Sequence, residues 1–121
     1  MMRARTALLA VLAMSVHAAA AGDTALVERG DTMFQKLCSA CHGKGHGDDS
    51  EPATLLPGTL ALRIKYRGER PALLENRTDL SPAVLRAFVR NGVGSMPPFR
   101  PTELSDRDIE AIAAFLTRSR E

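Results

Sequence analysis

The sequence predicts an all-α fold. Three stretches carry apolar residues at intervals of three and four, each bounded by residues that start or stop helices. No stretch alternates apolar and polar residues with the period of two that a half-buried strand requires. Gly and Pro are scattered and nothing repeats internally, so the punctuation marks no second domain.

The first helix is expected over residues 25–38, where Val27, Gly30, Phe34 and Leu37 share one face. Glycine inside a helix is costly, about 1 kcal/mol against alanine, so Gly30 reads as a point where another backbone crosses closely. The second runs from Pro82 to Asn91. Ser81 suits the N-cap, Pro82 the first turn and Gly92 the position past the end, with Val84, Leu85, Phe88 and Val89 as the apolar face. In the third, Ser105 caps, Leu104 and Ile109 sit at staple positions and Asp108 takes the box position usually held by Glu or Gln. Ile109, Ile112, Ala113 and Leu116 then follow helical spacing to Arg118, and Arg118 and Arg120 suit the helix dipole. Between these lie a polar, Gly-rich loop from His46 to Leu56, one or two helical turns over Leu60 to Lys65 and another over Pro71 to Asn76.

The first 21 residues read as a signal peptide. Arg3 and Arg5 precede an uncharged apolar run from Ala7 to Val16, and Ala18 to Ala21 offer small residues for cleavage. An uncleaved anchor would need about 20 apolar residues, and this run is shorter and followed by His17. Export leaves one domain over 22–121 with no membrane span. Arg3 and Arg5 leave with the leader, so sixteen basic residues fall to fourteen against fourteen acidic ones, and nucleic-acid binding has no support. A domain of about 100 residues without Trp buries a modest core. A large apolar cofactor would complete that core, so the apoprotein is expected to fold poorly.

Cys38-Ser39-Ala40-Cys41-His42 supplies that cofactor: Cys-x-x-Cys-His is the attachment pattern for a c-type haem. The thiols of Cys38 and Cys41 bond covalently to haem, and His42 is placed to ligate its iron. A thioredoxin-like dithiol needs a βαβ setting. Zinc needs two further ligands, and after the leader only His42 and His46 are present. A disulfide leaves His42 without a role. Two methionines remain after the leader. Met33 lies on the helix leading into the motif and reads as packing. Met96 lies 54 residues beyond His42, in a turn-rich Gly-Ser-Met-Pro-Pro-Phe loop with enough chain to reach the far side of the iron. His46, four residues from His42, is tied to the same side and reads as a solvated loop residue.

Gly30-x-x-x-Phe34 ahead of Cys38-x-x-Cys41-His42-Gly43, a Met-Pro loop, and a last helix ending Ala114-Phe115-Leu116 together resemble a class I, mono-haem cytochrome c of periplasmic type, over essentially all of residues 22–121. The resemblance implies helices packed around one covalent haem, with Gly30 and Phe34 meeting Ile112 and Phe115. It also implies a proline carbonyl, from Pro52 or Pro57, that accepts a hydrogen bond from the His42 ring and fixes its orientation. The 60–80 stretch departs from a minimal cytochrome. There Tyr66, Arg67 or Arg77 would bond a haem propionate, or form a solvated basic face, or make a docking patch for an acidic redox partner.

His42 and Met96 together would fill both axial positions of the iron and leave one-electron transfer as the chemistry. The expected function is therefore an electron carrier, not an enzyme, between a periplasmic dehydrogenase or reductase and the respiratory chain. The alternatives are a cytochrome subunit of a flavin- or quinone-dependent dehydrogenase, and a peroxidase or gas sensor with dissociable Met96, where Arg100 alone offers help with proton transfer.

Overall fold

A computed structural model describes residues 22–46 and 54–118, so the expected leader (1–21), Pro52 and Arg120 lie outside the described residues. The described chain is helical, without a named strand. Helix α1 covers 22–37, α2 Ser39–His42, α3 Pro57–Tyr66, α4 Pro82–Asn91 and α5 Asp106–Thr117, with a 3₁₀ turn at Leu74–Asn76.

The crossing anticipated at Gly30 is between α1 and α5. A Cβ at residue 30 would lie 1.9 Å from the carbonyl oxygen of Ala111 and 2.8 Å from Cβ of Phe115. The resemblance implied that Gly30 and Phe34 meet Ile112 and Phe115; Phe115 is met, and the nearest backbone to Gly30 is that of Ala111. One turn along, the fully buried Phe34 meets Phe115 with ring centroids 5.5 Å apart and planes tilted by 38°. Such tilted aromatic pairs contribute beyond their buried area. Leu104, Ile109, Ile112 and Leu116 from the α5 side and Leu85 and Val89 from α4 complete this core.

Both later helices start as their sequences dictate. Ser81 Oγ accepts the Val84 N–H at 3.3 Å, and Gly92 ends α4 at φ 66°. On α5 the Asp108 N–H donates to Ser105 Oγ at 3.2 Å while the Ser105 N–H donates to Asp108 Oδ2 at 3.1 Å, a full capping box. Arg29 Nε of α1 adds a bond to Asp108 Oδ1 at 2.8 Å. Hydrogen bonds from Ser105, then from Arg29, hold the Asp108 carboxyl below its ordinary range. The other end of α5 is closed by Arg118, which donates to the Phe115 carbonyl and lies 3.8 Å over its ring.

Two expectations change. Of the four apolar residues expected to face inward on α4 only Leu85 and Val89 are buried, while Val84 and Phe88 are 37% and 41% exposed. The one or two helical turns expected over 60–65 extend into a ten-residue helix, because Pro57 enters at the first turn, where its missing N–H costs nothing. α3 ends on Arg67, a non-glycine residue in the left-handed region at φ 50°.

Beyond α3, Arg77 is buried at 6% exposure and grips Asp79 with two bonds, Nε to Oδ1 at 2.8 Å and Nη2 to Oδ2 at 2.6 Å. Arg70 Nη1 reaches the same carboxylate at 2.5 Å. The Arg77 guanidinium also lies 4.8 Å over the Tyr66 ring, with Arg70 and Lys65 each 5.4 Å from it. Arg77's bond drives the Asp79 carboxyl down to about 2, from an ordinary 3.8, and the same guanidinium lowers the Tyr66 phenol.

Two measurements probe this framework. Gly30→Ala is expected to lower the unfolding free energy of the intact protein by about 3 kcal/mol in denaturant titration, because neither backbone can retreat from the added carbon. The depressed Asp79 carboxyl binds its proton more weakly folded than unfolded. Its contribution is therefore present above the ordinary value of 3.8 and lost as pH falls towards about 2. Asp79→Asn should flatten the slope of stability against pH in that window, whatever it costs at neutral pH.

Candidate functional site

The Cys38–His42 segment continues α1 after a one-residue break. Cys38 N–H donates to the Phe34 carbonyl at 2.9 Å and His42 N–H to the Cys38 carbonyl at 2.8 Å, so the α1–α5 core sets the direction of the motif. The two thiols are not joined to each other. Cys41 is exposed, while Cys38 is half-buried and its thiol is pushed up to about 11, first by burial and then by neighbouring Cys41. A redox dithiol needs the opposite, a lowered thiol that reacts as thiolate. Among the described residues no group of three or more His, Cys, Asp and Glu converges as a metal site, so zinc finds no ligand set there.

The His42 ring lies against the first turn of α3. A Cβ at residue 58 would stand 2.8 Å from Cε1 and 2.9 Å from Nδ1 of His42, so the flat approach requires glycine there. Thr59, fully buried, clamps the same junction by donating Oγ1 to the Gly43 carbonyl at 3.0 Å. Burial lowers the His42 pKa and so favours the neutral imidazole, the form that binds a metal. Its Nδ1 is buried and finds no hydrogen-bond partner among the described residues, so the bond expected to Pro57 is not formed and Pro52 is outside the description.

Met96 sits in the connection from α4 to α5. Val93 and Met96 exchange both backbone bonds, Val93 N–H to Met96 O at 3.1 Å and Met96 N–H to Val93 O at 2.9 Å. The turn between them needs Gly94 at φ 56°. Gly92 is equally constrained, since a Cβ there would meet the Met96 carbonyl at 2.6 Å. The outgoing side is pinned to α4 by the Phe99 N–H on the Val89 carbonyl at 2.8 Å. Arg90 then bridges the loop and α5, donating Nη1 to the Phe99 carbonyl at 2.9 Å and Nη2 to Asp106 Oδ1 at 2.7 Å. The Met96 side chain is half-buried against the core.

The other candidates fall elsewhere. Met33 packs partly buried against the core, and His46 is exposed. Arg100 turns to Glu103, with Nη2 to Oε1 at 3.2 Å and its own N–H to Oε2 at 2.9 Å. Gly58, Thr59 and Arg90 were not singled out from the sequence. For Gly58 the signal was present in Pro57-Gly58-Thr59, since a glycine just after a helix-starting proline leaves room for a close neighbour.

The residues present fit haem c. Two unpaired thiols straddle two residues, followed by a half-buried imidazole seated on a glycine, and a thioether is held on a separately braced loop. None of the described helices is long and apolar enough to cross a membrane.

Residues 25–116 match the family described as cytochrome c oxidase, cbb3-type, subunit III. The chain is 32% identical to cytochrome c6 of Leptolyngbya boryana over 72% of this chain and 85% of that protein. It is 30% identical to cytochrome c6 of Gracilaria tenuistipitata var. liui over 78% of this chain and 74% of that one. No solved structure matches the chain significantly. Helices without strands, the Cys-x-x-Cys-His segment built onto the first of them, and these matches make the chain a member of the cytochrome c family, a class I mono-haem electron-transfer protein with covalently bound haem c.

Proposed function

We propose that this cytochrome is a one-electron carrier whose haem is held by thioethers from Cys38 and Cys41 and ligated by His42 and Met96. Bound there, haem c supplies a one-electron iron couple, raised in potential by a thioether ligand relative to a second imidazole. The observation that carries the reading is the bracing of Met96. The reciprocal bonds with Val93, the two positive-φ glycines and the Arg90 bridge fix the loop from both sides. A ligand on a loop so tied stays in place between oxidation states, which suits fast electron exchange and not substrate entry. On the other side the His42 ring is seated against Gly58, with Thr59 fastening the same junction to Gly43. Arg77 and Arg70, crowded on Tyr66 with one carboxylate between them, leave a surplus of positive charge that suits a haem propionate.

Arg100 is engaged by Glu103, so the one group offered for proton transfer near Met96 is turned away, against the peroxidase reading. Residues 1–21 export the chain to the periplasm. There the protein relays electrons from a dehydrogenase or reductase towards the respiratory chain, either free or as a dehydrogenase subunit.

The ferric protein at neutral pH is expected to be low-spin and to show the weak long-wavelength band of an iron–methionine bond. Met96→Ala should abolish that band and lower the potential, whereas Met33→Ala should leave both unchanged. High-spin ferric iron in the unaltered protein would overturn the assignment of Met96. Gly58→Ala, which drives a methyl into the His42 ring, should reduce the haem-loaded yield severalfold on expression.

A further inference from the structure

A cleft of about 570 Å³ runs along the face of α3 turned away from His42. Leu60, Arg63, Ile64 and Arg67 line it from the helix, at the i, i+3, i+4, i+7 spacing of one face, and Arg70 and Ala72 close it from the following segment. At about 3.6 residues per turn this face points roughly opposite Gly58, the residue of α3 that touches His42. None of Cys38, Cys41, His42 or Met96 lines it, and no carboxylate does.

Its floor and its rim differ in kind. Ile64 is 67% exposed, the most exposed of the large apolar residues among the described positions. Around it stand three guanidinium groups. Arg70 is paired with Asp79 outside the cleft, but Arg63 and Arg67 have no acidic partner among the described residues. Arg67 is presented from a left-handed backbone at φ 50°, ψ 32°, a conformation that non-glycine residues avoid, fixed by its N–H on the Arg63 carbonyl at 2.9 Å.

Resting on the electron-carrier reading, we infer that this cleft docks an acidic segment of the protein partner, an aliphatic side chain seated on Leu60 and Ile64 between carboxylates that take Arg63 and Arg67. Guanidinium forks match carboxylates in a bidentate way, and arginine is enriched where protein surfaces meet. A concave floor takes an inserted side chain, whereas a lipid surface calls for a convex apolar face. Because the cleft lies away from His42, a partner anchored here leaves the haem free to exchange electrons elsewhere. The cleft therefore serves a cytochrome held as a subunit.

The test uses the isotopically labelled, haem-loaded protein in the ferrous state and the capped peptide acetyl-Asp-Glu-Leu-Glu-Asp-amide at low ionic strength. Amide and arginine Nε–H shifts are expected to concentrate on residues 60–72. The affinity should fall at least about tenfold in Arg63→Glu/Arg67→Glu, and likewise in rising salt, with the absorption spectrum unchanged. Equal affinity in the double variant, or shifts centred on the Met96 loop, would overturn the inference. So would Leu60 and Ile64 methyls shifted upfield by the porphyrin ring current, which would place the haem over the cleft. Vesicles of phosphatidylglycerol that bind the unaltered protein but not the double variant, with no response to the peptide, would assign the cleft to a membrane and overturn it as well. Absence of the iron–methionine band from the same protein after oxidation to the ferric state would remove the His42/Met96 assignment alone and leave the peptide result standing.

Discussion

The contact between Gly30 and the Ala111 carbonyl governs the rest of the molecule. With no side chain between them, α1 and α5 approach backbone to backbone, and both the Cys38–His42 segment and the loop of the proposed ligand Met96 are hung from that pair. α1 runs through Phe34 into the segment that carries Cys38, Cys41 and His42. The start of α5 is tied through Asp106 and Arg90 to the loop that carries Met96. The relative placement of the imidazole and the thioether is therefore set by a helix crossing remote from both. The Arg29–Asp108 bond reinforces it by fastening α1 to the first turn of α5.

α3 meets positive charge on two faces with different consequences. Towards Tyr66, Arg77 and Arg70 share the carboxylate of Asp79 and pack on an aromatic ring, so the charge is fixed in place and about half compensated. A buried Arg77 without that carboxylate would be strongly unfavourable, which makes Asp79 a structural requirement of the segment. Along the cleft, Arg63 and Arg67 lack such compensation. Charges of that kind add little to folding and act mainly on encounter with other molecules. The basic 60–80 stretch thus separates into an inner group that builds the domain and an outer group free to recognise something else.

How much was legible in the sequence depended on the range of the interaction. Ser81 and Ser105 work within one turn, and both caps form as their neighbours foretold. Cys38, Cys41 and His42 form a contiguous pattern whose chemistry leaves few readings. Gly30 was readable as a crossing because a glycine in a good helix needs a reason. What failed was long-range. Val84 and Phe88 have the right spacing for an inward face, but burial on α4 follows where α5 lies, and that geometry selects Leu85 and Val89. The role of Arg90 depends on two acceptors, one nine and one sixteen residues away, that only folding brings together. Arg67 carries no local signal for a left-handed backbone, since arginine there is disfavoured and surroundings impose it.

Burial is also divided unevenly along the chain. The cluster of Phe34, Leu85, Val89, Leu104, Ile109, Phe115 and Leu116 closes α1, α4 and α5 on one another. α3 contributes only Thr59 to the fully buried set; its first turn is held by a hydrogen bond to Gly43 and the contact of Gly58 with His42, and its last by Tyr66 under Arg77 and Lys65 over Phe88. Both first-turn anchors sit at the motif that carries the haem. A residue that orients the imidazole is thereby also one of the few that attach α3 to the domain. The orientation of the His42 ring and the seat of the first turn of α3 are coupled through the same atoms. The start of α3 is thus settled at the Cys38–His42 segment, while its far end is held by the Arg77–Tyr66 contact and the α1–α4–α5 core closes around Leu80 as well.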